Sequence, residues 1–288
     1  MAFELKEEGY RLKDILVIVG IPESTYHYHV KNFGKEDPDR ELKEVITELF
    51  KAFHERYGYK RITKELKKSA WCINHKKVYR LMRELGLKCV KFMRKSRRYN
   101  SYKGKVGKVA KNRLSRRFST PIPFQKLVTD ITEFKCLGEE KLYLNPLLDL
   151  YNGEIIAFGI KKRPTLDLVM EPLKKTIEVL GAQATYRTTI HSDQGWHYQH
   201  NQWVRTLKEN KVFQSMSRKA TCADNASIEN FFGILKQEMY YGEKLVSYEE
   251  LKRQIEEYIY WYNHIRSKEK LAGFSPVEYR TQTSQLAA

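Results

Sequence analysis

No apolar run in these 288 residues approaches the ~20 needed to cross a bilayer. The N-terminus, MAFELKEEGYRLKD, holds no hydrophobic signal region, so a cytoplasmic protein is expected. Cysteine is scarce: Cys72, Cys89, Cys136 and Cys222 are scattered with no CxxC pair, which argues against a disulfide framework or a zinc knuckle. There is no internal repeat at solenoid periods and no heptad pattern. Acid is missing in one place, since none occurs between Glu84 and Asp130.

That gap is filled with cations. Lys88, Lys91, Arg94, Lys95, Arg97, Arg98, Lys103, Lys105, Lys108, Lys111, Arg113, Arg116, Arg117 and Lys126 all fall in it. Residues 1–120 hold 31 Lys and Arg against 14 Asp and Glu, a net of +17, while residues 121–288 hold 22 against 21, a net of +1. Such a block favours a polyanion, because each phosphate neutralised releases condensed counterions. Phe92, Tyr99, Tyr102 and Phe118 are interleaved as in a nucleic-acid contact strip; the plainer alternative is a solvated linker. Arg94, Lys95, Arg97, Arg98, Arg116 and Arg117 are the candidate DNA contacts here.

Two helical segments precede the strip. Within residues 1–36, Ile15, Leu16 and Ile18 are followed by Gly20 and Pro22, then by Ser24-Thr25-Tyr26-His27-Tyr28-His29, a weak helix-turn-helix pattern. In residues 37–98, Asp37-Pro38-Asp39 suits a helix start, and Leu42, Val45, Ile46, Leu49, Phe50 and Phe53 follow helical spacing. A second helix is expected to about Ser69. Asn74 can cap a third, with Val78, Leu81, Met82 and Leu85 inward. Its outer face shows His75, Lys76, Lys77, Arg80 and Arg83, which makes this the better helix-turn-helix and its cations candidate DNA contacts. Residues 99–122 read as a basic linker.

From 123 to 288 the pattern becomes α/β. Strand-like runs occur at 126–134, 141–151, 154–161, 185–191 and 211–215, with helical segments at 165–180, 199–209 and 226–240 and another from 247, where Ser247 and Glu250 form a capping box. Asn152-Gly153 is a hairpin turn signal. Asp130 interrupts the apolar run Leu127–Phe134, and Asp193 ends the run from Thr188. Glu229 is separated from Asp193 by thirty-five residues, in a helical pattern opened by Asp224-Asn225, with Asn225 as its expected cap. Carboxylates amid strand-forming apolar residues are costly unless paired or bound to a cation. Three oxygen donors with no Cys set suit Mg²⁺, or Mn²⁺ in its place. Gly233 and Lys236 follow Glu229 at i+4 and i+7, making Lys236 a further candidate DNA contact. His191, His197 and His200 flank Asp193; none has a Cys partner, and His191 is the one expected to neighbour the site.

The motifs RYGYKRI, INHKKVYRLM, LVTDITEF, LYLNPLLDLYNGEIIAF, HSDQGWHYQ, QSMSRK, DNASIENFFGILKQE, YIYWYNHIR and LAGFSPVEY run in order along nearly the whole chain. Together they resemble the second-frame (OrfB-type) transposases of the insertion-sequence-three family, whose core is similar to retroviral integrases. The resemblance implies an α/β ribonuclease-H-like catalytic core, here with a mixed five-stranded sheet, preceded by an all-α helix-turn-helix DNA-binding region. It makes Asp130, Asp193 and Glu229 the catalytic and metal-holding acids, and implies Mg²⁺-dependent strand cleavage and transfer on element terminal repeats and target DNA, without a covalent protein–DNA intermediate. It further implies a bacterial, nucleoid-associated setting, assembly as an oligomer on paired DNA ends, and a first-frame protein as partner or fusion. Leu127 and Ala220 depart from the family, which usually has Trp and Gly there. Two other readings share parts of this pattern: a DNA-binding regulator or assembly subunit that no longer cuts, and a ribonuclease-H-type hydrolase, which leaves the basic half unexplained.

Overall fold

The computed structural model describes residues 2–32, 36–89, 109–218 and 222–286. Arg94, Lys95, Arg97, Arg98 and Ala220 lie outside them.

Six helices open the chain: α1 (Ala2–Glu7), α2 (Leu12–Val19), α3 (Glu23–Lys31), α4 (Arg40–Ala52), α5 (Tyr59–Lys68) and α6 (His75–Glu84). The spacing read in α4 is the spacing that is buried. Leu42, Ile46 and Phe50 close a small core with Ile62 and Leu66 of α5 and Val78, Leu81 and Met82 of α6. Asn74 caps α6, its side-chain oxygen accepting from the Lys76 N–H. Two details differ from the sequence reading. Leu85 is 37% exposed, because the helix ends before it and it falls outside the stripe. Asp39 does not cap α4 through its side chain; it accepts from Lys77 (2.6 Å) and Arg80 (2.9 Å) of α6 instead.

The second part is a mixed sheet: β1 (Lys126–Thr129), β2 (Thr132–Lys135), β3 (Lys141–Asp149), β4 (Ile155–Lys161), β5 (Thr189–Ser192) and β6 (Phe213–Met216). β3 pairs antiparallel with β1, β2 and β4, whereas β1–β5 and β5–β6 are parallel. The β1 and β2 registers on β3 are continuous, Thr129 facing Leu147 and Thr132 facing Leu144. They are one strand broken at Asp130 and Ile131, so the five expected strands are present, the first interrupted. The position opposite Asp130 is Pro146, which has no N–H to give the ladder. This is a ribonuclease-H-like core.

Helices cover both faces: α7 (Asp167–Gln183), α8 (Trp196–Gln199) and α9 (Asn201–Glu209) on one, α10 (Ala226–Met239) and α11 (Tyr248–His264) on the other. The strands' two-residue alternation divides the cores. Leu127 and Leu147 pack toward α7 and α9, while Val128 and Leu148 pack toward α10 and α11. Each fully buried side chain of this kind contributes about 1.5–3 kcal/mol. Leu127 is fully buried, so the usual Trp is replaced by a smaller residue in a closed core. The Asn152-Gly153 turn forms, with Gly153 at φ +74°; a Cβ there would also stand 2.7 Å from the Lys268 amine. A last helix, α12 (Pro276–Leu286), was not foreseen as a separate element; its Arg280 pairs with the buried Glu154.

The linker reading needs correction for its second half. Residues 109–122 lie on the core: Leu114 is buried in the α10 face, and the N–H groups of Arg113 and Leu114 reach the Ser215 hydroxyl. Phe118 packs against the same cluster, so it is not a base-stacking residue. The two parts of the chain meet at α11: Tyr57 accepts from the Ser267 N–H, and Arg56 lies over the rings of Tyr258 and Trp261.

Candidate active site

The site is built where β1 breaks and β5 ends. The parallel register sets Val128 beside His191, and two residues further along both strands Asp130 comes level with Asp193. Both lie on the α10 side, continuing from Val128, and Glu229 stands in the first turn of α10. The strand register therefore levels two of the acids that the sequence singled out, and the charges of Asp193 and Glu229 both act on Asp130.

The two aspartates are each held by a neighbouring backbone N–H. Asp130 accepts from the Ile131 N–H at 2.8 Å, and Asp193 accepts from the Gly195 N–H at 2.9 Å. A Cβ on residue 195 would sit 2.9 Å from that Asp193 oxygen, so glycine permits the turn to close on the carboxylate. The Asp130 carbonyl, without a partner on Pro146, takes a 3.0 Å bond from the Asn145 carboxamide, whose nitrogen also lies 2.8 Å from the Thr129 and Tyr198 hydroxyls. Asn145 escaped the sequence reading, although a lone amide within Leu142–Leu148 was a visible anomaly.

Burial raises the pKa of all three acids. Asp130 rises furthest from its ordinary value, first through burial, then through the charge of Asp193 and, more weakly, that of Glu229. Asp130 is thus the middle member of the set. Tyr198, buried beneath the site, has its phenol pushed well up by burial and then by the charges of Asp130 and Asp193. Among the described residues no three His, Cys, Asp or Glu side chains already converge as an ion cage. The donor set itself nonetheless fits a hard divalent cation: an Asp130 carboxylate that is raised by burial and by the charges of Asp193 and Glu229 would be relieved by positive charge.

The neighbours divide into expected and unexpected placements. His191 lies two residues below Asp193 and is fully buried, its Nδ1 2.8 Å from the Ser215 hydroxyl; burial pushes its pKa down to about 4. His197 turns away to the Pro164 carbonyl, and His200 accepts from Gln202, so the three histidines do not form one cluster. Asn225 occupies the N-cap position of α10 but makes no side-chain cap bond, since its backbone (φ −116°, ψ 15°) is not the extended one a capping side chain needs. Both of its amide atoms are buried and have no partner among the described residues. Lys236 is turned to the sheet: its amine donates to the Thr132 hydroxyl (2.7 Å) and the Glu133 carbonyl (2.9 Å), fastening α10 beside the strand break.

Of the expected DNA contacts, Lys76, Lys77, Arg80 and Arg83 all lie on the exposed face of α6. Lys77 and Arg80 share Asp39, which leaves Lys76 and Arg83 as the cations of that face with no acidic partner among the described residues. Arg116 is drawn to Asp224, and Arg117 makes a weak 3.4 Å bond to the Arg113 carbonyl.

Comparison with known proteins gives a consistent result. Residues 120–222 and 229–283 match families described as integrase core domain, and residues 36–97 match an HTH-like domain. The chain is 42% identical over 274 residues to InsK, the transposase assigned to insertion sequence element IS150 of Escherichia coli (strain K12), covering 95% of each. It is 30% identical over 241 residues to the transposase InsF for insertion sequence IS3A of the same strain, covering 83% of this chain and 81% of that one. The HTLV-2 integrase catalytic core domain, solved in complex with magnesium, aligns at 15% identity over 55% of this chain and 97% of that one, with a TM-score of 0.42.

Proposed function

The chain belongs to the insertion-sequence-three family of transposases, DDE polynucleotidyl transferases with an integrase core, and we propose that Asp130, Asp193 and Glu229 are its catalytic carboxylates. The observation that carries this reading is the register that levels Asp130 with Asp193, with the charges of Asp193 and Glu229 both acting on Asp130. These three residues would hold Mg²⁺, with Mn²⁺ as a substitute. When bound, such an ion polarises phosphoryl oxygens and lowers the pKa of the attacking hydroxyl.

The chain's own residues do the positioning. Asn145 fixes the Asp130 backbone, Gly195 orients Asp193, and Lys236 fastens α10 so that Glu229 keeps its place against the strand break. Asp130, whose burial favours its protonated form, would have to give up that proton to serve as a cation ligand. Water, and then a freed 3′-hydroxyl, attack a DNA phosphodiester in line, so no side-chain nucleophile is required.

The helical unit binds duplex DNA at the element's terminal repeats, with Lys76 and Arg83 foremost among its contacts and the basic strip from Arg94 to Arg117 continuing them. Assembly as an oligomer on two paired ends, with a first-frame protein as partner, completes the reading. The test is incubation with labelled DNA carrying the element's own ends and Mg²⁺, comparing Asp193→Asn. Strand joining by the parent and not the variant is expected; binding by the parent without any cleavage would instead favour a regulatory subunit.

A further inference from the structure

Five residues before Glu229, Asp224 is 0% exposed yet accepts five hydrogen bonds. Arg218 grips it with Nε at 3.0 Å, a terminal nitrogen at 3.0 Å and its backbone N–H at 3.1 Å. Arg116 adds its Nε at 3.1 Å, and the Asn112 amide donates at 2.9 Å. The two guanidinium side chains remain 52% and 59% exposed. A single carboxylate offsets only one of their two charges. Both terminal nitrogens of Arg116 have no partner among the described residues, and neither does the second terminal nitrogen of Arg218. The adjacent Asn225 is 5% exposed with both amide atoms unsatisfied.

We propose that Arg116 and Arg218 form a phosphate clamp for the DNA strand beside the carboxylates, and that Asp224 is the positioning residue that aims both. This rests on the reading of Asp130, Asp193 and Glu229 as the strand-transfer site. Guanidinium forks match phosphate oxygens in pairs, and a fork fixed at one edge by a buried acid presents its other edge without loss of side-chain freedom. Arg116 arrives on the segment from the helical unit and Arg218 on the loop before α10, so one phosphate bound between them joins the DNA-holding part of the chain to the helix that carries Glu229. The sequence alone offered Arg116 as one of many cations and gave no reason to single out Arg218.

The experiment is fluorescence anisotropy of a labelled duplex carrying the element's terminal sequence, with chelator present and salt varied, on the full chain. Arg218→Gln should lower the log–log salt slope by about 0.9 and weaken binding about eightfold at 0.1 M salt. Asp224→Asn should also weaken binding, although it makes the protein one charge more positive. An Asp224 that merely repels the strand predicts the opposite, equal or tighter binding, which overturns the proposal. If Asp224→Asn fails to fold, the Arg116→Gln/Arg218→Gln pair decides. A slope smaller by about 1.8 supports the clamp, and an unchanged slope overturns it. Because these readings need no metal, they stand apart from the carboxylate assignment, which is tested separately by strand joining with Asp193→Asn.

Discussion

The helical unit and the α/β core handle charge in opposite ways. In the first, apart from the buried Asp39, ion pairs sit toward the surface: Arg40 with Glu44, Arg80 with Glu84, Lys43 with both Asp37 and Glu84. In the second, Asp149, Asp224 and Glu238 are completely buried, and each is surrounded by donors. The difference teaches where each half spends its polar groups. Surface charge on α6 is available to a polyanion and costs little to rearrange, whereas buried acids fix geometry and cannot be altered cheaply.

The largest effect that would break this comparison lies at Glu238. It takes bonds from Arg266 (down to 2.5 Å) and the Tyr258 hydroxyl, and faces Arg61 of α5 at 3.7 Å. Glu238→Ala would strand Arg266 in the core and cost about 3–5 kcal/mol in denaturant unfolding, against less than about 1 kcal/mol for Glu44→Ala on α4. Equal losses would show that the contrast is false.

His191 supplies the next effect. Its folded pKa, near 4, lies below the ordinary 6.5, so the unfolded chain takes up the proton first as pH falls. The stability that neutral His191 provides is complete above pH 6.5 and is lost between 6.5 and 4, a difference of about 3 kcal/mol. Thermal unfolding across that range, with His191→Asn as reference, should show the slope flatten in the variant.

The smallest effect belongs to the surface. Lys76→Gln should reduce the salt slope of duplex binding by about 0.9 while leaving thermal stability unchanged. An unchanged slope would remove α6 from the DNA-binding face.

Much of this was legible beforehand because periodicity and burial agree. The stripe Leu251, Ile255, Tyr258, Ile259 and Tyr262 of α11 is buried as its spacing indicates, and so are Ile228, Phe231, Phe232, Leu235 and Met239 of α10. What sequence could not give was long-range pairing. The break at Asp130 depends on Pro146 arriving opposite it. The diversion of Lys77 and Arg80 depends on Asp39, and that of Lys236 on Thr132, each far off in the chain. Asp224 read as part of a helix start because only the folded chain brings Arg116 to it.

The central claim is that Asp130, Asp193 and Glu229 make one cation site. Mn²⁺ binding measured by electron paramagnetic resonance tests it most directly, comparing the parent chain with Asp130→Asn and Asp193→Asn in the absence of DNA. The expected result is Mn²⁺ uptake by the parent and at least a tenfold loss of affinity in both variants, with chelator-resistant DNA binding retained. Equal Mn²⁺ uptake by all three proteins would contradict it.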